Sequence, residues 1–469
     1  QGLMTQQDLV DRVTRSFTLL MDAGLFDPVG IQSYTKIPFD TINSEEAIAS
    51  NLQAARQSLV LLQNGRGNAP ILPFRKGVKL ALIGPHTQTQ KDLAGNYFED
   101  IGLGTCAGPT CVPTLKTAFD RVNGGSAAVA AGCNMRCGSV SYLAGKDAAL
   151  AAARAADVVV LALGVDGDIC GEGRDRMNIS LPGHQHDLAE AVIALGKPTA
   201  LLLFSGGLID IGSLKLRDIA VVQGWFPGAT GGTAIAEAVF GEQNRFGKLP
   251  FTWYASNFTA ASDFDNMNMT DGPGRTYKYL KDASLALWPF GYGLSYTTFT
   301  LTDATAHNST PTTTAPAITT SMRAAPALAI LQVAAPHDSL EVSVRVTNTG
   351  SVTGDEVVFL FKNSSAAEMR WAAVRGEAAP PSPQRELIGF HRVTLTPGES
   401  TVVQFNVTAA KLSSVDQRGT RHVLAGTHEL QLSRGHGEEM AVPLELTMQD
   451  ATSRLVISSL SGLFGVTDS

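Results

Sequence analysis

Along this chain the apolar positions change rhythm three times. Near the start, Leu9, Val10, Val13, Phe17, Leu20 and Met21 recur at helical spacing. Thr5 and Asp8 precede them as a capping box with aspartate in the glutamate position, and Gly24 ends the pattern. Residues 27–43, with Pro28 and Pro38, read as a connector. Asn43 and Glu46 then signal a helix to about Ser58. Short apolar runs follow at 59–62, 78–83, 158–163, 199–204 and 219–223. Each is too short for a helix and several are β-branched, the signature of strands buried on both faces. Residues 148–156, the tract from His184 through Leu188, Ala191, Val192 and Leu195, and residues 233–240 read as helices between them. Alternating strands and helices predict an α/β sandwich, a mostly parallel sheet with helices on both faces. Residues 86–145 read as loop-rich.

From Ser339 the period becomes two. Leu340, Val342, Val344 and Val346 alternate with polar residues, and Asn348-Thr349-Gly350 makes a turn. Further strands are expected at 357–361, 393–395, 401–406 and 428–432, so this part is a β-sandwich. Residues 364–384, with Pro380, Pro381 and Pro383, read as a loop that interrupts it. The aromatics crowded into 255–299 read as packing between domains. Residues 301–335 are rich in Thr, Ala and Pro with no Phe, Tyr or Trp, the composition of a linker. The expected division is therefore 1–43, helix and connector; 44–265, α/β sandwich; 266–335, inter-domain segment and linker; 336–449, β-sandwich; and 450–469, a tail.

Composition narrows the class. The 469 residues are 44% hydrophobic, ample for two or three cores. A net charge of -7 and the lack of a basic run argue against nucleic acid as a partner. No apolar stretch approaches the length of a membrane span, and residues 1–30 are an amphipathic polar helix rather than a signal peptide. Of five cysteines, Cys106 with Cys111 and Cys133 with Cys137 are spaced for two short-loop disulfides, leaving Cys170 odd; reduced thiols in a cytosolic protein are the alternative. Six sequons, at Asn178, Asn257, Asn268, Asn308, Asn363 and Asn406, tip the choice toward a secreted or lumenal glycoprotein, and hence a processed chain. No Cys pair has CxxC spacing and no histidine cluster joins them, so neither a metal nor a cofactor is expected.

The candidate chemistry lies after the run at 158–163. The polar, glycine-punctuated loop that follows holds Asp166, Asp168, Glu172, Arg174, Asp175 and Arg176, six charges in eleven positions of a chain only 17% charged. Open α/β sheets place their chemistry at strand C-termini of this kind. Glu172 sits between Gly171 and Gly173, which free the backbone to expose a carboxylate at a loop tip. Such a group can serve as a general acid, or the loop can be a solvated one with Asp175 and Arg176 as a local ion pair.

Glu172-Gly173-Arg174-Asp175-Arg176 followed by Leu181-Pro182-Gly183-His184-Gln185 resembles the second domain of family-3 glycoside hydrolases, with β-xylosidases and β-glucosidases the nearest branches. Other pieces agree in order, among them Ile83-Gly84-Pro85, Gly95-Asn96-Tyr97, Ser205-Gly206-Gly207, Gly247-Lys248-Leu249-Pro250 and the run from Trp288 to Tyr296. The resemblance implies that the first helix is the tail of a (β/α)8 barrel and that the β-sandwich is fibronectin type III-like. It implies Glu172 as acid/base residue of a retaining glycosidase, with Asp168 the weaker alternative. Many xylosidase-like members carry an acidic residue two positions before this glutamate, where this chain has Cys170. The nucleophilic aspartate belongs to the barrel, and no residue here matches its motif.

The expected substrate is a β-linked oligosaccharide or glycoside, and the expected partner is the barrel half; a homodimer is left open. Asp175 and Arg176 are expected to hold the loop, with Trp225 or Tyr97 as candidate sugar platforms. The competing class is a non-catalytic carbohydrate-binding or scaffold glycoprotein on the same fold. For the cysteines, non-reducing peptide mapping is expected to find Cys106–Cys111 and Cys133–Cys137 bonded and Cys170 free; five thiols alkylated without reductant would overturn both pairing and compartment.

Overall fold

The computed structural model describes residues 4–38, 41–42, 44–67, 69–95, 112–308, 318–319, 328–376, 381–416, 418–437, 439–449 and 454–457. The chain divides into two compact units, residues 1–51 and 52–469. In the first, α1 (Gln6–Asp22) starts from the expected capping box: the Thr5 hydroxyl accepts the Asp8 N–H at 3.1 Å and the Asp8 carboxylate accepts the Thr5 N–H at 2.9 Å. No residue of α1 is buried, and Val10, Phe17 and Met21 lie exposed on it. α2 (Glu45–Ser58) is capped by Ser44, whose hydroxyl accepts the Ala47 N–H at 3.2 Å. The cap was expected at Asn43, which lies outside the described residues.

The second unit opens with a six-stranded sheet of β1 (Val60–Asn64), β2 (Leu80–Ile83), β3 (Ala128–Ala130), β4 (Val158–Gly164), β5 (Thr199–Phe204) and β6 (Ala220–Gln223). Its spatial order is β1-β6-β5-β4-β2-β3; every pair is parallel except β1 with β6. All seven residues of β4 are buried, because its two faces serve two cores. Val158, Val160 and Ala162 pack toward α4 (Leu115–Asn123) and α7 (Gly231–Val239); Val159, Leu161 and Leu163 pack toward α5 (Ser139–Ala155) and α6 (Gln185–Ile193). Burial on both sides is why the sequence reads as one apolar run rather than an alternation. The tract read as loop-rich, 86–145, is more ordered than that. It holds the short α3 (Lys91–Ala94), α4 and β3, and α5 starts at Ser139 rather than 148. Gly145, Lys146 and Asp147 interrupt the apolar spacing of α5, and β3 has only three residues, so neither gave a period to see.

The end of β4 is closed by one buried side chain. The Gln185 amide accepts the Gly164 N–H through Oε1 at 2.8 Å, and its Nε2 donates to the Gly164 carbonyl at 2.9 Å and the Met135 carbonyl at 2.7 Å. Gly164 has φ 144, and a Cβ there would stand 2.0 Å from the Phe204 carbonyl oxygen. Gly183, at φ 50, passes so close to the 136–137 backbone that a Cβ would come within 2.3 Å of two carbonyl oxygens. The Leu-Pro-Gly-x-Gln sequence is thus a fitted plug: the glycine allows the approach, the glutamine finishes the strand.

The β-sandwich that follows pairs a four-stranded with a five-stranded sheet. Its boundary differs from expectation. Strand Phe299–Asn308 pairs with Ser339–Asn348, and Ala329–Val333 pairs in parallel with Glu439–Met448, so both ends of the supposed 301–335 linker belong to the sandwich. Threonine and alanine suit a strand that is buried on one side only, and composition concealed it. Residues 364–384 include a helix, Ser365–Val374, and Arg454–Ile457 in the supposed tail pairs with Arg421–Leu424.

Charges seam the two folds together. Glu356, 2% exposed, meets Lys248 at 2.7 Å and Arg434 at 3.1 Å. Burial would raise the Glu356 pKa, but these two cations hold it below the usual carboxylate range. Beside it, Asp355 accepts from Arg392 at 2.9 Å. His436 lies at the same seam; burial, helped by the Lys248 ammonium, lowers its pKa to about 4.

Replacing Gln185 with leucine should strand the Gly164 and Met135 backbone groups and cost roughly 2–4 kcal/mol in denaturant unfolding; an unchanged midpoint would mean those groups find other partners. For His436, the unfolded chain binds the extra proton below about pH 6.5 and the folded chain only near 4. Stability should therefore be full above pH 6.5 and fall by roughly 3 kcal/mol as pH drops through that window, and His436→Gln should flatten this part of the profile.

Candidate active site

The sheet order places one crevice apart from the others. The chain passes from β2 to β3 on one side, then crosses to β4 on the other. Between the C-terminal ends of β2 and β4 the winding reverses, which is where open α/β sheets hold ligands. A cleft of about 290 Å³ occupies this place, lined by Lys91, Asp92 and Gly95 from the β2 side and by Asp166, Asp168 and Arg174 from the β4 loop.

The loop is built outward from Asp166. Its carboxylate accepts the Ile169 N–H at 2.9 Å and its carbonyl accepts the Cys170 N–H at 3.0 Å, making one tight turn. A second turn joins Gly171 to Arg174, whose N–H reaches the Gly171 carbonyl at 3.0 Å. Glu172 and Gly173 form its tip, with Gly173 at φ 68 and open space around its α-carbon. The turn therefore needs glycine for its dihedral, not for room. Arg174 straps the two turns, donating to the Gly167 carbonyl at 2.9 Å and reaching the Asp168 carboxylate at 3.4 Å.

Glu172 is exposed at this tip and, among the described residues, makes no hydrogen bond or ion pair. Asp168 is exposed too, but is engaged by Arg174 and faces the cleft. The local ion pair of Asp175 with Arg176 that the solvated-loop alternative carries is not formed. Asp175 points to solvent, while the half-buried Arg176 donates to the Ser180 carbonyl and so does brace the loop's exit. Burial lowers the Arg176 pKa, opposed by the neighbouring Cys170.

Trp225 stands at the end of β6, away from the cleft lining. Its indole N–H donates to the Ser58 carbonyl at 2.8 Å and its ring packs on Phe251 and Trp253. Tyr97, Cys106 and Cys111 lie outside the described residues. Cys133 is bonded to Cys137, and Cys170 is a free, half-buried thiol. Asn178, Asn257, Asn268 and Asn406 are exposed, Asn363 is half-buried, and Asn308 lies on a strand.

Lys91 and Asp92 were missed by sequence reasoning, since they stand in the tract that looked like loop. The one available cue was Gly84-Pro85 ending a strong strand. His86 is fully buried, stacked on Phe204 at 4.7 Å, with its Nδ1 3.5 Å from the Asp92 carboxylate. Burial works to raise the Asp92 pKa, but His86, with Thr89 and Lys91, outweighs it and the net shift is downward. Asp92 thus offers the cleft a fixed anionic acceptor beside the Lys91 ammonium. Among the described residues no group of three or more His, Cys, Asp or Glu is arranged to hold a metal ion.

Residues 59–296 match the model of the glycosyl hydrolase family 3 C-terminal domain, and residues 373–435 match a fibronectin type III-like domain. The chain is 33% identical over 459 residues to Beta-D-xylosidase 1 of Arabidopsis thaliana, covering 92% of this chain and 54% of that one. It is 32% identical over 445 residues to Probable exo-1,4-beta-xylosidase bxlB of Aspergillus fumigatus, covering 93% and 53%. Among solved structures, a GH3 exo-beta-xylosidase (XlnD) in complex with a xylobiose aziridine probe superposes with a TM-score of 0.77 at 28% identity, covering 98% of this chain and 55% of that one. The chain spans about half the length of the relatives it matches. A family model that takes in half of the chain, on a sheet whose crevice carries the motif loop, places this protein in glycosyl hydrolase family 3.

Proposed function

We propose that this chain is the C-terminal part of an exo-acting retaining β-glycosidase of the β-xylosidase type, with Glu172 as its general acid/base. The covalent nucleophile is supplied by a (β/α)8 barrel outside these residues. The observation that carries the reading is the position of Glu172: a carboxylate without a partner among the described residues, held at the tip of a braced turn beside the crevice at the sheet's switch point. The relatives named xylosidases favour a β-xyloside over other substrates. A secreted or lumenal setting is favoured by the exposed sequons and the Cys133–Cys137 bond.

In this reading the two halves divide the work. The barrel carboxylate attacks the anomeric carbon while Glu172 protonates the leaving oxygen; Glu172 then takes a proton from the water that frees the sugar. The loop reaches across a barrel mouth because it projects from the strand end, and burial beneath the barrel removes water from around it. The Lys91, Asp92, Asp168 and Arg174 cleft adds hydrogen-bonding groups beside the acid. The exposed apolar residues of α1, Val10, Phe17 and Met21 among them, fit burial against the barrel of which the helix is the tail.

Glu172→Ala in the complete enzyme is the test. Turnover of oligosaccharides should fall about 10²–10⁴-fold, while the first step on nitrophenyl glycosides, whose leaving group needs no proton, survives. Azide should partly restore turnover of the activated substrates, and Asp168→Asn should show neither signature. Equal loss on both substrate classes without azide rescue would give the role to another carboxylate. Residues 1–469 alone should show no inhibitor-sensitive turnover of nitrophenyl xyloside or glucoside; robust turnover would place the nucleophile within them.

A further inference from the structure

A second nucleophile and base meet on the same edge of the sheet. Ser139 is the first residue of α5, and His184 immediately precedes α6. Both helices begin beyond the C-terminal ends of parallel strands. The Ser139 hydroxyl lies 3.0 Å from His184 Nε2, and His184 Nδ1 lies 2.7 Å from the Asp187 carboxylate. With the Nδ1 proton directed at Asp187, Nε2 is left as acceptor for the Ser139 proton. Nucleophile, base and orienting carboxylate thus stand in hydrogen-bonded sequence.

The surroundings fix this chain of groups in place. Tyr142 stacks on the imidazole at 5.0 Å with 13° between the planes. The His184 N–H donates to the Cys137 carbonyl at 2.9 Å, and the Cys133–Cys137 bond closes the loop that leads into Ser139. Gly138 gives α5 no side-chain cap, and the first N–H to bond within the helix is that of Tyr142, to the Gly138 carbonyl. The N–H groups of Ser139 and Val140 therefore have no partner within the helix and stand at the positive end of its 17 residues, beside the nucleophile itself. That is the donor arrangement that stabilises an acyl oxyanion.

We propose that Ser139, His184 and Asp187 form an esterase site for short acyl esters, separate from the glycosidic chemistry. Ser139 Oγ attacks the ester carbonyl as His184 Nε2 takes its proton. The bond from carbonyl carbon to the alcohol oxygen then breaks, and His184 hands that proton to the departing alcohol. Water, deprotonated by His184, attacks the acyl-serine; the carboxylic acid leaves and Ser139 recovers its proton. Water is the one co-reactant, and no change of oxidation state occurs. Ser139 is exposed, flanked by Val140 and Leu143, themselves 86% and 71% exposed, so the site is an open ledge. It fits an acyl group displayed on a larger molecule. The Arg136 guanidinium reaches from the loop before Ser139 to the Asp168 carbonyl at 3.3 Å, which sets the ledge against the Glu172 loop. An ester on a hydroxyl of a glycoside is therefore the substrate class.

The experiment uses the chain as it stands and needs no barrel, so its outcome is independent of the glycosidase reading. p-Nitrophenyl acetate hydrolysis and fluorophosphonate labelling with peptide mapping are measured on the wild type and on Ser139→Ala, His184→Asn and Ser141→Ala. Saturable turnover and a label on the Ser139 peptide are expected. Ser139→Ala and His184→Asn should abolish the label and lower kcat/KM by at least about 100-fold, while Ser141→Ala retains both. Because Ser139 is exposed, its alanine variant should keep the wild-type circular dichroism. A label on another residue, no label at all, or a Ser139→Ala variant that turns over like the wild type would overturn the proposal.

Discussion

The site of this protein hangs on a single side-chain amide. Gln185 satisfies both polar atoms of Gly164 from inside the fold, past the point where β2 has ended and only β5 still runs beside β4. A strand buried on both faces cannot end in the interior unless its last backbone groups find partners, since each orphaned group costs on the order of 1–3 kcal/mol. Here the partner comes from the helix that follows the loop. The two ends of the Glu172 loop are thereby tied to each other, and the loop projects from a fixed base. The same amide also holds the Met135 carbonyl, so the segment that leads to Ser139 is fastened at the same point.

A second constraint acts between the two folds. Lys248, Glu356, Arg434, Asp355 and Arg392 form a mostly buried set of alternating charges. Such a set contributes modestly to net stability, because desolvation offsets much of the attraction, yet removing one member leaves a charge stranded. Its effect is on geometry: the sandwich can meet the α/β domain in only one register of charges. The aromatics of 277–296 that the sequence suggested as packing are found in that role. Tyr277 meets Phe361 of the sandwich at 5.8 Å, and Phe290 meets Phe359 at 5.9 Å.

What was legible in the sequence follows from how strongly each segment is buried. β4 and β5 stood out because both faces are covered, and Thr5 with Asp8 because a cap is a local bargain between neighbours. Strand Phe299–Asn308 was hidden, since its threonines and alanines carry little hydrophobic signal and its partner lies 40 residues on. The three-residue β3 and the start of α5, broken by Gly145, Lys146 and Asp147, also gave too little periodic signal. At the site, the charged loop and Glu172 were visible as a composition anomaly, and the family motif gave them a meaning. Lys91 and Asp92 were not visible, because only the sheet order brings α3 against the β4 loop. Nor was Ser139 visible: its relation to His184 joins residues 45 apart through the packing of two helices.

The two-faced burial of β4 also sets where this gene can change length. Consecutive residues of the strand belong to different cores, so one inserted residue would turn Leu161 and Leu163 toward the side built for Val160 and Ala162. Beyond Gly164 the demand lapses, because the loop to Leu181 is held at its two ends and by internal turns rather than by alternation. Insertions and deletions can accumulate there while the strand stays fixed in length. Change in length is thus channelled into the loop beyond Gly164, with the register of the sheet acting as the fence.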